Sequence, residues 1–189
     1  MATTRNLKPM HKRRGPWRSS SLAALVLLVI VALLIKRYCS HKPPPFGPGV
    51  KIVSIDGDTL RAGDGSEYRI FVIDAPELHQ TCKEAIGKSW ACGRAAKARL
   101  TTLIEGNNVN CTARDKDRFG RIVAVCSAEG VPDLGDVIVR QGYAIDLGGE
   151  AGNPYHQAEV EAQAGKRGIW RGTFERPSDW RLAHQRANE

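Results

Sequence analysis

From Leu22 to Ile35 the chain contains only leucine, alanine, valine and isoleucine, and this run divides everything before it from everything after it. With Ser19–Ser21 it makes about 17 residues, the low end for a helix that spans a bilayer. Six basic residues precede it (Arg5, Lys8, Lys12, Arg13, Arg14, Arg18), three follow (Lys36, Arg37, Lys42), and no acid lies among residues 1–42. The excess of positive charge before the run predicts a cytoplasmic N-terminus. A cleaved signal peptide would carry small residues at its end, where Lys36-Arg37-Tyr38 stands instead, so a retained anchor over residues 21–37 is expected. A core helix would show a polar face, which this run lacks. Pro43, Pro44, Pro45 and Pro48 then predict a stiff, extended spacer over residues 38–49.

The same division governs how the charge is read. The whole chain has 28 Lys/Arg and 20 Asp/Glu, a formal charge of +8. Nine of the basic residues belong to residues 1–42, which leaves nineteen basic against twenty acidic residues, a net of −1, for the remainder. A global positive field is therefore excluded as the source of any affinity of the folded part for a polyanion; local arginines and a metal ion would have to supply it.

Residues 50–172 read as one domain, followed by a tail over residues 173–189. Val50–Ile55, Thr59–Ala62 and Glu67–Ile73 predict three strands, the first two joined at Asp56-Gly57-Asp58. Gly93–Ile104 predicts a helix. Asn108–Thr112 and Ile122–Ser127 predict a hairpin. Asp133 caps a helix that runs to Arg140 and stops at Gly142, and Pro154–Ala164 is a third helix. Five short strands with helices interposed late give an α+β domain, and closure into a small barrel is one economical way to remove exposed edges.

Of the five cysteines, Cys82, Cys92, Cys111 and Cys126 lie in the domain, and Cys39 lies beside the apolar run. No C-x-x-C pair points to zinc. Four cysteines allow three pairings, and sequence alone does not choose among them. A hairpin turning near Arg118-Phe119 would set Cys111 opposite Cys126, leaving Cys82 with Cys92. Two such bridges imply an oxidising compartment; the alternative is four buried free thiols.

Four groups carry the chemistry: Asp56-Gly57-Asp58-Thr59, Arg69, Asp74-Ala75-Pro76-Glu77, and Asp117-Arg118-Phe119-Gly120-Arg121. Each alone has a plain reading, as turn, surface charge or hairpin loop. Their order and spacing, with Val139-Arg140-Gln141-Gly142 and Gly168-Ile169-Trp170, resemble the thermonuclease, or staphylococcal nuclease-like, family over roughly Val50 to Trp170. The resemblance implies a five-stranded OB-fold barrel with about three helices and calcium-dependent hydrolysis of DNA and RNA. The residue chemistry points the same way. Asp58, Asp74 and the Ala75 carbonyl are hard oxygen donors suited to Ca²⁺. Glu77 is placed to orient or deprotonate water. Arg69 and Arg121 are expected to grip a phosphate, most strongly as charge builds in the transition state.

Lys83, Lys88, Arg118 and Phe119 are weaker substrate contacts. Ala75 stands where the family often has threonine, and Phe119 where it often has tyrosine. The expected protein is a nuclease of low sequence preference, held to the plasma membrane through residues 21–37 with its domain outside the cytosol. The alternative is an OB-fold module that binds nucleic acid without cutting it. That alternative has no use for three carboxylates at the binding face.

Overall fold

The computed structural model describes residues 20–39, 50–149 and 152–186, and the chain divides into two units, residues 1–42 and 43–189. In the first unit a single helix, α1 (Ser20–Cys39), takes up the apolar run and continues through Lys36 and Arg37. Its leucines and valines from Leu25 to Leu33 are exposed. Among the described residues no helix is long and apolar enough to cross a membrane, so the spanning segment expected over residues 21–37 is not supported. The basic residues 1–19 and the prolines of the expected spacer lie outside the described residues.

The second unit is built on a five-stranded sheet. Strands β1 (Ile52–Ser54), β2 (Thr59–Ala62) and β3 (Glu67–Ile70) form an antiparallel meander. The alternation in β2 explains its place: Leu60 and Ala62 are buried while Arg61 stays outside and pairs with Glu67 at 2.7 Å. The expected third strand ends early. Val72 has φ of +55°, a left-handed conformation that a β-branched residue rarely adopts, and it turns the chain out of the sheet. Ile73–Asp74 then form a separate short strand, β4, which later pairs with β9 (Ile145–Asp146).

Strands β5 (Cys82–Glu84) and β6 (Ser89–Trp90) make a small hairpin in the segment between Asp74 and the next helix. Helix α2 (Cys92–Ile104) follows, and buries Ala96, Leu100, Leu103 and Ile104, the i, i+4, i+7, i+8 stripe of a helix lying on a core. Strands β7 (Asn110–Lys116) and β8 (Ile122–Ser127) form the long hairpin, in which Cys111 sits opposite Cys126. A disulfide joins them, and a second joins Cys82 to Cys92. Helix α3 (Leu134–Arg140) starts where the sequence indicates, with Asp133 Oδ1 accepting from the N–H groups of Gly135 and Asp136. Gly142 ends it with φ of +74°; a side chain there would stand 2.2 Å from the Arg167 carbonyl. Helix α4 (His156–Ala164) packs against α3, followed by a 3₁₀ turn at Gly168–Arg171.

The last two elements give form to the expected tail. Strand β10 (Gly172–Thr173) adds to the edge of β5, and helix α5 (Pro177–Arg186) follows. The β10–β5–β6 sheet covers a small core of Cys82, Cys92, Ile145 and Ile169, with Trp90, Trp170 and Phe174 against it.

The main sheet runs β1-β2-β3-β8-β7 from edge to edge, with β3 and β8 parallel. Among the described residues β1 and β7 do not pair, so the closed five-stranded barrel expected from the sequence is not formed. The break at Val72 is one reason: Ile73–Asp74, which would have lengthened the central strand, is diverted to β9. Helices α2 and α3 cover the core that closure would otherwise have sealed, with Leu60, Ile70, Leu100, Leu134 and Ile138 fully buried between the layers. Among the described residues the fold is α+β, as expected, with four helices in this unit besides α1 of the first.

Candidate active site

Register brings the distant groups together. Thr59, next to Asp58, pairs with Arg69, and Arg69 pairs with Val123 on the parallel neighbour. Arg121 lies two residues before Val123, so the period of two along a strand directs Arg69 and Arg121 to the same face. Both line a cleft of about 790 Å³ that also takes in Asp56, Glu77, Asp117, Arg118 and Phe119. Asp58, Asp74 and Ala75 do not line the cleft; they lie buried beneath Arg69, which pairs with both carboxylates.

This buried layer is an ion-pair network. Arg69 donates one terminal nitrogen to Asp58 and the other to Asp74, at 2.8 Å, and also reaches the Ile73 carbonyl. Asp58 Oδ2 accepts from the Ala75 N–H at 2.8 Å, and Oδ1 accepts from the Thr59 hydroxyl at 3.0 Å. Burial pushes the Asp58 carboxyl above its ordinary value against the pull of the Arg69 guanidinium, and Asp56 adds to the rise. The donors around Asp58 are the Ala75 N–H, the Thr59 hydroxyl and the Arg69 guanidinium. Asp56, for its part, accepts from the Asp58 N–H at 3.0 Å, a turn-forming role.

Two further parts orient the walls. Asp117 Oδ1 accepts from the N–H groups of Phe119 and Arg121, and its Oδ2 accepts from Arg121 Nε at 2.7 Å. Partial burial would raise Asp117, but these bonds outweigh it and hold the carboxyl below its ordinary 3.8. Arg121 is thus fixed through Nε, beside an exposed Phe119 ring that Arg118 and Arg121 flank at 4.8 and 5.4 Å. Glu77 opens a turn closed by the Gln80 N–H to its carbonyl, at 2.8 Å. Gln80 is fully buried: its Oε1 accepts from the Glu77 N–H, its Nε2 donates to the Glu175 carbonyl, and its own carbonyl accepts from Gly93 at the start of α2.

Lys83 and Lys88 are exposed on the β5–β6 hairpin and do not line the cleft.

Two residues escaped the sequence reading. One is Gln80. The other is Arg181 on α5, which donates to Asp74 Oδ1 at 3.0 Å and Oδ2 at 3.2 Å, and to Glu77 Oε1 at 2.6 Å. The dipeptide Pro177-Ser178 was a legible helix start. Nothing local tied Arg181 to a carboxylate 107 positions earlier.

The carboxylates have the right chemistry for a hard divalent cation, since Asp58 and Asp74 are anionic oxygen donors whose burial demands a positive charge. That charge is supplied here by Arg69 and Arg181, and among the described residues no group of three or more acidic, histidine or cysteine side chains is arranged around a metal position.

Comparison with known proteins agrees with this assembly. The family model described as staphylococcal nuclease homologue matches residues 67–172. Asp58 and Arg181 fall outside that match. The chain is 28% identical over 161 residues to the succinoglycan biosynthesis protein ExoI of Rhizobium meliloti (strain 1021), covering 84% of this chain and 83% of that one. It is 33% identical over 138 residues to an uncharacterized endonuclease of Haemophilus influenzae, covering 69% and 71%. An uncharacterized endonuclease of Escherichia coli is 29% identical over 120 residues, covering 61% and 72%. With the family model spanning more than half of its length and the arginines and carboxylates gathered at one cleft, the chain belongs to the staphylococcal nuclease homologue family.

Proposed function

We propose that this protein is a calcium-dependent phosphodiesterase that hydrolyses DNA, RNA or both with little sequence preference. The observation that carries the reading is the cleft itself, lined by Arg69, Glu77 and Arg121, with Arg69 reaching the buried carboxylates Asp58 and Asp74. Asp58, Asp74 and the Ala75 carbonyl are the residues that would hold Ca²⁺, which when bound supplies a Lewis acid for a phosphate oxygen. Arg121, with Nε committed to Asp117, presents its terminal nitrogens to a phosphate and stabilises the charge that develops on its equatorial oxygens. Arg69 neutralises the two carboxylates that would otherwise repel the substrate. Glu77 takes the proton of an attacking water or orients that water. Phe119 offers an apolar ring at the rim, and Arg118 beside it a second positive charge.

The domain is proposed to work outside the cytosol, with residues 21–37 associating with the plasma membrane. Two disulfides favour an oxidising compartment, and the basic residues ahead of the apolar run favour a cytoplasmic N-terminus. Protease treatment of intact spheroplasts should remove the domain; a fully protected domain would refute the placement.

The catalytic reading is tested by following hydrolysis of single-stranded DNA and RNA by the full chain with calcium and with excess chelator. Activity that persists undiminished in chelator would remove the calcium assignment. Binding without hydrolysis in both conditions would replace the enzyme by a binding module.

A further inference from the structure

Helix α5 is an unusual wall for a cleft. The chain leading into it is firmly held: β10 pairs with β5, Phe174 packs edge-on against Trp170 at 5.0 Å, and the Glu175 carbonyl is bonded by buried Gln80. Beyond Glu175 the hold weakens. Pro177 is buried, but Asp179, Leu182, Ala183 and His184 are exposed, and Leu182 is 55% exposed even though it faces the cleft. Arg181 ties the helix to the rest of the domain by ion pairs. Its guanidinium spans both oxygens of Asp74 and one oxygen of Glu77, and its side chain keeps 37% of its surface in water.

The two carboxylates it covers are the ones assigned above to cation binding and to water activation. Asp74 is fully buried, so once Arg181 leaves, Arg69 alone balances its charge unless a replacement cation arrives. A divalent cation is such a replacement. Glu77 Oε1, while it accepts from Arg181 at 2.6 Å, is engaged and not open to a water molecule. The guanidinium therefore satisfies the site electrically and silences it chemically.

We infer that α5 is a latch, in which Arg181 covers Asp74, a residue assigned to the cation, together with the water-handling Glu77, and must withdraw for the cation to bind. This rests on the calcium-dependent reading given above. The lightly anchored helix is the moving part, and the Gln80–Glu175 bond is the hinge point that stays fixed. A latch closed nine-tenths of the time weakens apparent calcium affinity about tenfold.

Two measurements on the full chain test this. Calorimetric titration with calcium should show Arg181→Gln binding at least about tenfold more tightly than the parent. Hydrogen exchange of the parent should show the amides of residues 179–184 losing protection when calcium is added, while those of α2 and α3 keep theirs. Equal calcium affinity in parent and variant overturns the latch and leaves the calcium reading standing. Tighter binding with unchanged protection of α5 also overturns it, because the gain is then only the loss of a nearby positive charge. No calcium binding by either protein overturns the latch together with the calcium assignment.

Discussion

Gly93 ties the fold to the chemistry through a single contact. It lies in the first turn of α2, and a Cβ built on it would stand 1.7 Å from the Glu77 carbonyl oxygen, 2.6 Å from the Glu77 carbonyl carbon and 3.0 Å from that of Leu78. Both partners are backbone, so no side chain can swing aside. For Gly93→Ala to be accommodated, the Glu77 carbonyl must recede by about 1.3 Å merely to reach a 3.0 Å contact. That movement stretches the Gln80 N–H to Glu77 carbonyl bond of 2.8 Å and carries the Glu77 side chain with it. Overpacking of this kind costs about 1–3 kcal/mol of stability. A loss of about 2 kcal/mol lowers Tm by roughly 4–8 °C for a chain of this size. Displacing a reacting group by about 1 Å costs roughly 100-fold in rate, or about 2.7 kcal/mol of transition-state stabilisation. The assay is kcat for single-stranded DNA at 25 °C, alongside a thermal melt followed by circular dichroism. Gly87→Ala is the control: it sits at the tip of the β5–β6 hairpin with φ of +81° and open space around it, so it should lose stability through backbone strain without losing rate. A Gly93→Ala protein that melts lower but turns over within threefold of the parent would refute the link between this contact and Glu77.

Other perturbations test the remaining parts of the site. Asp58→Ala leaves the Ala75 N–H and one Arg69 nitrogen without a buried acceptor and should cost roughly 3–5 kcal/mol in urea denaturation; a loss under about 1 kcal/mol would mean that Arg69 and Asp74 suffice alone. Replacing Cys111 and Cys126 together by serine opens a loop with a sequence separation of 15 and should cost about 3 kcal/mol by denaturant midpoint. Asp117 is depressed in the folded protein, so its contribution to stability is complete above its unfolded value near 3.8 and is lost as pH falls through the lower folded value. Melts of Asp117→Asn should therefore fall below the parent at neutral pH and converge with it as both are acidified under pH 3.8; a constant gap across that range would contradict the assignment.

What could be read from sequence was whatever local chemistry decides. The β7–β8 hairpin was legible because its turn residues and the period of two fix register, and register alone sets Cys111 against Cys126. The start of α3 was legible because an aspartate cap satisfies two backbone donors wherever it stands. The expected strand Glu67–Ile73 failed at Val72, where the sequence shows an ideal strand residue and tertiary context holds it in a left-handed conformation. Arg69, Glu77, Arg118, Phe119 and Arg121, singled out from short motifs, all line one cleft. Lys83 and Lys88 were drawn in by charge and proximity in sequence, but the β5–β6 hairpin leaves them exposed outside the cleft. Gln80 and Arg181 were invisible for a common reason. Each acts through partners about a hundred residues away, and neither a buried glutamine nor a helix arginine has a local pattern that reports such a contact.

The Cys82–Cys92 bridge has a consequence in time as well as in space. It clasps the strand after the Glu77 turn to the first residue of α2, next to the glycine on which that turn rests. A chain still in a reducing compartment lacks the clasp, and its Glu77 turn is free to loosen. On the extracytoplasmic reading, the bond closes only once the chain has left the space that holds the cell's own nucleic acid. On that same reading, oxidation would act as a maturation step that tightens the Glu77 turn only after export.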